Sequence, residues 1–210
     1  MKMLDAMARG LSVVFSPLLV PTYAIILVMT TTFLAVTAPL AARIVVTAVV
    51  FVVTAVVPMG VITLFKRMGV VSDVALTERT ERTLPFLLAI VCYMGCALFL
   101  YRAGCPGMVT AMFIGTIAAV VVQIIVNRWW KISAHAAGMG GFIAFMSLIP
   151  HYMIIVVDTQ PWLLAAIPMA GAVGTARILR HRHTAGQVMA GYVNGFLCVW
   201  CVTLLLANTL

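Results

Sequence analysis

The chain predicts an all-α fold, a polytopic transmembrane helical bundle of six to seven spans, and three observations carry that reading. Of 210 residues, 64% are hydrophobic and only 9% charged, where a soluble domain carries about a quarter charged residues. Apolar runs long enough to cross a hydrocarbon core recur along almost the whole length, and mean hydropathy is +1.18. The runs are continuous rather than alternating, which argues against a β-barrel. No linker, low-complexity tract or repeat interrupts them, so residues 1–210 read as a single integral-membrane domain.

Seven spans can be drawn in order. The first, Leu11–Leu34, is too long for a signal-peptide core and lacks a small-residue cleavage site, so it reads as a retained helix entered through Pro17 and Pro21. Ala41–Phe65 and Leu84–Tyr101 follow, separated by the polar stretch Lys66 to Thr83. Pro106–Val126, Ser133–Val157, Pro161–Leu179 and Ala185–Ala207 complete the set. The fifth opens on Ala134, Ala136, Ala137, Gly138, Gly140 and Gly141, and Ala170, Gly171, Ala172, Gly174 and Ala176 fill the second half of the sixth. Small faces let membrane helices approach closely. These two spans are therefore expected to touch, bringing Ser133 and His135 near Arg177 and His183. The cysteines Cys92, Cys96, Cys105, Cys198 and Cys201 sit mostly in apolar runs, and Cys198-x-x-Cys201 reads as core filling despite its redox-type spacing.

Threading those spans places 11 of the 13 basic residues on the side of the N-terminus: Lys2, Arg9, Lys66, Arg67, Arg79, Arg82, Arg128, Lys131, Arg177, Arg180 and Arg182. Only Arg43 and Arg102 fall on the other side. The positive-inside rule makes the crowded face cytoplasmic and the C-terminus external, in an expected bacterial cytoplasmic (inner) membrane. Arginines that bind phosphate are not pure topology signals, so the rule has less force here. Asp5, Asp73, Glu78 and Glu81 share the basic face, and Glu78-Arg79-Thr80-Glu81-Arg82 alternates in sign as a self-pairing solvated segment would.

Two constellations on that face carry chemistry. His183 and Gln187 are four apart at the start of the last span and share a helix face, with Arg177 six residues earlier across a tight turn. An imidazole beside a guanidinium suits attack on phosphorus with the phosphate oxygens held; equally, Arg177, Arg180 and Arg182 suit headgroup anchoring. In the second, Lys131, Ser133 and His135 open the fifth span behind Trp129 and Trp130. A hydroxyl and free N–H groups at a helix start make an anion site, and His135 one turn inside can protonate a leaving oxygen. The other reading of His135 is a histidine hydrogen-bonded to a neighbouring helix.

These residues resemble the type 2 phosphatidic acid phosphatase superfamily, which includes lipid phosphatases and vanadium haloperoxidases. Its third motif, Ser-Arg, five residues, His, three residues, Asp, is matched in spacing by Ala176-Arg177, His183 and Gln187. Its second, Pro-Ser-Gly-His, is matched by Ile132-Ser133-Ala134-His135. Of the first, Lys, six residues, Arg-Pro, the trace is Arg82-Thr83-Leu84-Pro85, with Lys66, Arg79 or Lys131 left to supply the lysine charge. The resemblance spans residues 66–207. It implies His183 as nucleophile, His135 as acid, and Arg177, Arg82 and Ser133 holding phosphate oxygens. Two departures stand out. Gln187 replaces the aspartate that orients the nucleophile; in the Ser-His-Asp triad an equivalent amide costs about ten-thousand-fold in rate. Two spans also separate the first and second motifs, although an even number of crossings returns both to one face.

The expected function is a membrane lipid phosphatase acting on a phosphate or diphosphate monoester through a phosphohistidine. The alternative is an inactive relative that binds or moves anionic lipids. No metal or cofactor is implied, since arginines and helix N-termini do the electrostatic work. His181-x-His183 has no carboxylate or cysteine nearby, and the scattered Asp5, Asp73 and Asp158 exclude an aspartate-rich prenyltransferase. Expected partners are membrane lipids and a lipid phosphate, without nucleic acid, and with a homo-oligomer open.

Overall fold

A computed structural model describes residues 2–210, with side chains from Met3 onward, so the Lys2 side chain of the basic face lies outside the described residues. Its helices are α1 Lys2–Val14, α2 Val20–Thr31, α3 Leu34–Thr37, α4 Leu40–Phe51, α5 Val57–Arg67, α6 Thr83–Arg102, α7 Gly107–Val126, α8 Ala134–Tyr152, α9 Gln160–Leu179 and α10 Ala185–Leu206. Among the described residues there is no strand, only an isolated antiparallel bridge between Thr32 and Ile155. Five helices are long and apolar enough to cross a membrane: Leu40–Arg67, Thr80–Arg102, Gly107–Val126, Gln160–Leu179 and Ala185–Leu206. The chain is a helical membrane protein.

The first expected span is not one helix. Pro17 has no N–H to continue the ladder of α1 and disfavours helix at Ser16, so Ser16 N turns to the Val13 carbonyl at 3.2 Å and the helix stops. α2 resumes with Pro21 in its first turn, where a missing N–H costs nothing. Its 12 residues rise about 18 Å, short of the about 30 Å a crossing needs. α1 instead lies against α9, burying Ala8 and Ser12 while Met3, Leu4 and Met7 stay exposed. Such a helix suits the membrane interface.

α4 and α5 form one 28-residue rod through a wide turn, Val52–Val56. Pro58 lies just beyond it and cannot donate to the Thr54 carbonyl, the usual cause of such a register shift. The Thr54 hydroxyl donates to the Leu18 carbonyl at 3.1 Å, tying the rod to the α1–α2 turn. α8 ends at Tyr152, earlier than the expected Val157, with Pro150 in its last turn removing a ladder donor. The chain then runs extended, Ile154 accepting from Phe33 N and Val156 N donating to Thr31, both at 2.8 Å.

α8 is the central helix. It touches α9, as the small-residue stripes predict, but its main seam is with α10. Gly191 and Gly195 of α10 make that approach possible. A Cβ at Gly191 would stand 2.5 Å from the Ser133 carbonyl oxygen, and one at Gly195 would overlap the Ala137 carbonyl. Phe113, Phe145, Leu100 and Ile149 fill the core between α6, α7 and α8. This arrangement brings the α5–α6 loop, the start of α6, the α7–α8 loop, the start of α8 and the α9–α10 turn to one end, together with α1.

Candidate functional site

The α9–α10 turn is built around a left-handed residue. His181 takes φ 50°, while Arg182 N donates to the Arg177 carbonyl at 3.1 Å and His181 N to Ile178 at 2.9 Å. That pair of bonds closes a helix end tightly and usually employs glycine; an L-residue there costs about 1–2 kcal/mol. The turn folds His183 back beside Arg177. Thr184 then caps α10: its hydroxyl accepts from Gln187 N at 3.3 Å, and Gln187 Oε1 accepts from Thr184 N at 3.2 Å. This is a reciprocal capping box, legible in the sequence as Thr184-x-x-Gln187 ahead of an apolar run.

The capping box fixes the tautomer of His183. A backbone N–H only donates, so the Gln187 atom facing Thr184 N is its oxygen. That oxygen also stands 3.2 Å from His183 Nδ1, so Nδ1 carries the proton and Nε2 keeps the lone pair. Burial, helped by the Arg82, Arg177 and Lys131 charges, pushes His183 down to about 3. It is a neutral imidazole at pH 7. Gln187 Oε1 thus holds the ring and the helix cap together.

Ser133 is a cap too. Its hydroxyl accepts from Ala136 N at 3.3 Å, its N–H donates to the Gln187 carbonyl at 3.1 Å, and it is fully buried. His135, in the first turn of α8, donates from Nε2 to the Ser12 carbonyl at 3.0 Å. It makes the inter-helix hydrogen bond that its second reading describes, with α1 as the neighbour.

Arg79, Arg82 and Lys131 hold main-chain oxygens rather than carboxylates. Arg82 donates from Nε to the Leu76 carbonyl at 2.9 Å and from Nη1 to Ile132 at 3.3 Å. Lys131 donates to the Thr77 carbonyl at 2.7 Å, Arg79 to Arg128 at 2.8 Å, and Arg182 to the Thr77 hydroxyl. Arg177 is 4% exposed, and its buried Nε has no acceptor. Among the described residues, the only ion pairs within 4.0 Å join Asp5 to Arg9 at 2.7 Å and to Arg180 at 3.6 Å. The alternating segment does not pair with itself: Glu81 accepts from Ser72 N and Oγ, both at 2.9 Å. Partial burial beside Arg82, Arg177 and Arg182 pulls Lys131 down to about 8, with Glu78 opposing.

Beneath this layer lies a cavity of about 800 Å³. Asp73, Arg82, His135, Arg177, Arg180 and His183 are its charged and imidazole lining, and Tyr93, Met112, Phe142 and Val199 its apolar depth. Val13, Val56 and Met59 line it while also exposed on the outer surface, giving it a side mouth between α1 and the α4–α5 rod. The two histidines thus share one wall with Arg82 and Arg177. Gln187, Ser133, Lys131 and Arg79 stand behind that wall or beside it. The sequence reading overlooked Ser12, which holds His135 by a carbonyl and so leaves no side-chain signal. It also passed over Gln123, a lone amide in an apolar run, which was signal enough. Comparison with known proteins returns no matching family model, no similar curated protein and no similar solved structure.

Proposed function

We propose that this chain is a membrane lipid phosphatase, hydrolysing a phosphate or diphosphate monoester whose tail stays in the bilayer. One observation carries the reading: the neutral His183 imidazole, with its Nε2 lone pair, shares a cavity wall with two buried guanidinium groups that no carboxylate neutralises. An uncompensated buried cation is costly, and a phosphate of a bound lipid offsets that cost. The apolar depth and side mouth suit a tail entering from the bilayer. The resemblance to the type 2 phosphatidic acid phosphatases assigns these same residues their roles.

In the proposed reaction, His183 Nε2 attacks phosphorus and the bond to the leaving oxygen breaks. Arg177 and Arg82 hold the non-bridging oxygens. His135 takes up a second proton as the phosphate dianion binds beside it. As imidazolium it gives its Nε2 proton to the leaving oxygen, returning to the neutral ring and releasing the Ser12 carbonyl as it does so. Water then attacks the phosphohistidine, giving inorganic phosphate and returning the proton to His135. In this reading α8 adds a sixth pass to the five long helices, and α2 taken together with the segment through α3, longer than α2 alone, adds a seventh. The basic face lies on the cytoplasmic side of a bacterial inner membrane, as the charge asymmetry favours.

The test is phosphate release from a panel of lipid phosphates by purified protein. His183→Ala should abolish turnover; equal rates in variant and parent overturn the assignment. Two observations favour a second reading, a binder or carrier of anionic lipids: the Nε2 proton of His135 is already engaged by Ser12, and Gln187 brings no charge. Saturable lipid binding without phosphate release from any substrate would select it.

A further inference from the structure

We propose that Gln123 reads a free hydroxyl close to the phosphate of the bound lipid, so that the preferred ligand is a hydroxyl-bearing lipid phosphate. This deepens the proposed function and rests on the phosphate occupying the same cavity. Gln123 lies on α7, 4% exposed, on the cavity wall, and its buried Oε1 has no hydrogen-bond partner. An unpaired amide oxygen in an apolar bundle is destabilising, and no structural bond within α6 or α7 accounts for it. Its depth is defined by Asn127, one turn on, whose Nδ2 donates to the Arg79 carbonyl at 2.8 Å. Four residues of helix place Gln123 about 6 Å further in, under the guanidinium layer and at the level where a headgroup passes into its tails.

The missing partner is a donor. An ester carbonyl or an alkyl chain offers none, whereas a hydroxyl donates to Oε1 and can accept from the amide nitrogen. Lipid phosphates with one acylated and one free glycerol oxygen carry such a group within a few bonds of the phosphate ester. Fully acylated lipids and prenyl phosphates do not.

The experiment compares 1-acyl-glycerol 3-phosphate with 1-acyl-propanediol 3-phosphate of the same chain, which lacks only the hydroxyl. Binding is measured in detergent micelles in a His183→Ala background, so neither lipid turns over, and phosphate release is read separately with His183 intact. The hydroxyl-bearing lipid should bind at least about tenfold more tightly, and Gln123→Met and Gln123→Leu should bring the ratio to within about twofold. The apo variants should melt no lower than the parent, because they delete an unsatisfied oxygen; a merely structural glutamine would lower the melting temperature. A ratio near one in the parent overturns the inference, as does a ratio preserved in both variants or no binding of either lipid. Absence of phosphate release with the binding preference intact overturns the phosphatase reading instead.

Discussion

Replacing Arg177 by methionine separates what this residue costs the fold from what it does for an anion. The side chain is 4% exposed, its Nε has no acceptor, and Arg82, Arg180 and Arg182 add like charge nearby. A buried donor left unsatisfied costs about 1–3 kcal/mol, and exchanging buried charge for apolar volume often stabilises by about 1–4 kcal/mol. For a chain of this length about 1 kcal/mol moves Tm by roughly 2–4 °C, so apo Arg177→Met should melt roughly 3–10 °C above the parent. Anion binding runs the other way. At a hundredfold excess over Kd, a ligand stabilises by about 2.7 kcal/mol, so phosphate should raise the parent's Tm several degrees and leave the variant's almost unmoved. Thermal unfolding in detergent, followed by tryptophan fluorescence with and without inorganic phosphate, reads both effects. A variant that melts below the parent without anion refutes the reasoning, since Arg177 would then be bonding something structural.

Gln187→Glu keeps the length needed for the Thr184 capping box and adds charge beside His183 Nδ1, whereas Gln187→Asp is a methylene too short to hold both partners; steady-state phosphate release should show kcat rising at least tenfold for the glutamate and less for the aspartate. His183 contributes to the acid limb of stability. Its folded value near 3 lies below the ordinary 6.5, so only the unfolded chain takes up that proton between those values. Stability from this group is complete above about pH 6.5 and falls as pH drops toward 3; Tm against pH should slope less steeply there in His183→Ala. Lys131, near 8 against an ordinary 10.5, should by the same sign add stability as pH climbs from 8 to 10.5, and Lys131→Met should flatten that limb. Gly191→Ala pushes a methyl group to 2.5 Å from the Ser133 carbonyl; overpacking of this kind costs about 1–3 kcal/mol, so Tm and phosphate release should fall together.

What the chain disclosed in advance, and what it withheld, follows from which signals are local. Membrane class, the basic face and the spans from Leu84 onward lie in composition and run length, and α6, α7, α9 and α10 match them within one or two residues. The approach of His135 to Arg177 and His183 was readable from the alanine and glycine stripes. Yet the decisive seam runs through Gly191 and Gly195 on the last helix, a Gly-x-x-x-Gly pair whose spacing signals close helix approach but which was passed over in favour of the longer stripes. The break at Pro17 was misread because a proline near the start of an apolar run fits either an entry turn or a stop; geometry on both sides decides. Gln187 was read as a damaged catalytic carboxylate, although the capping-box pattern gives it a second duty.

The scarcity of carboxylate partners in the guanidinium layer, where Asp5 meets Arg180 and Asp73 reaches Arg182 only through the Thr77 hydroxyl, and the presence of Gln187 serve one end. Arg82, Lys131, Arg79 and Arg182 are oriented by carbonyl or hydroxyl oxygens of Leu76, Ile132, Thr77 and Arg128. Such dipoles aim a cation without cancelling its charge, so the field at the polar end of the cavity stays positive and pre-oriented. A carboxylate in their place would fix the same side chains but compete with the phosphate for them. The same argument applies to residue 187, which lies one hydrogen bond from the ring that shares the wall with Arg177. A carboxylate there would stabilise the imidazolium that forms as phosphorus is attacked, and it would also repel the incoming anion. Gln187→Glu should therefore raise KM along with kcat, in phosphate-release kinetics across a range of lipid concentrations. A glutamate variant that gains kcat with KM unchanged would show that the positive field is not what holds the phosphate.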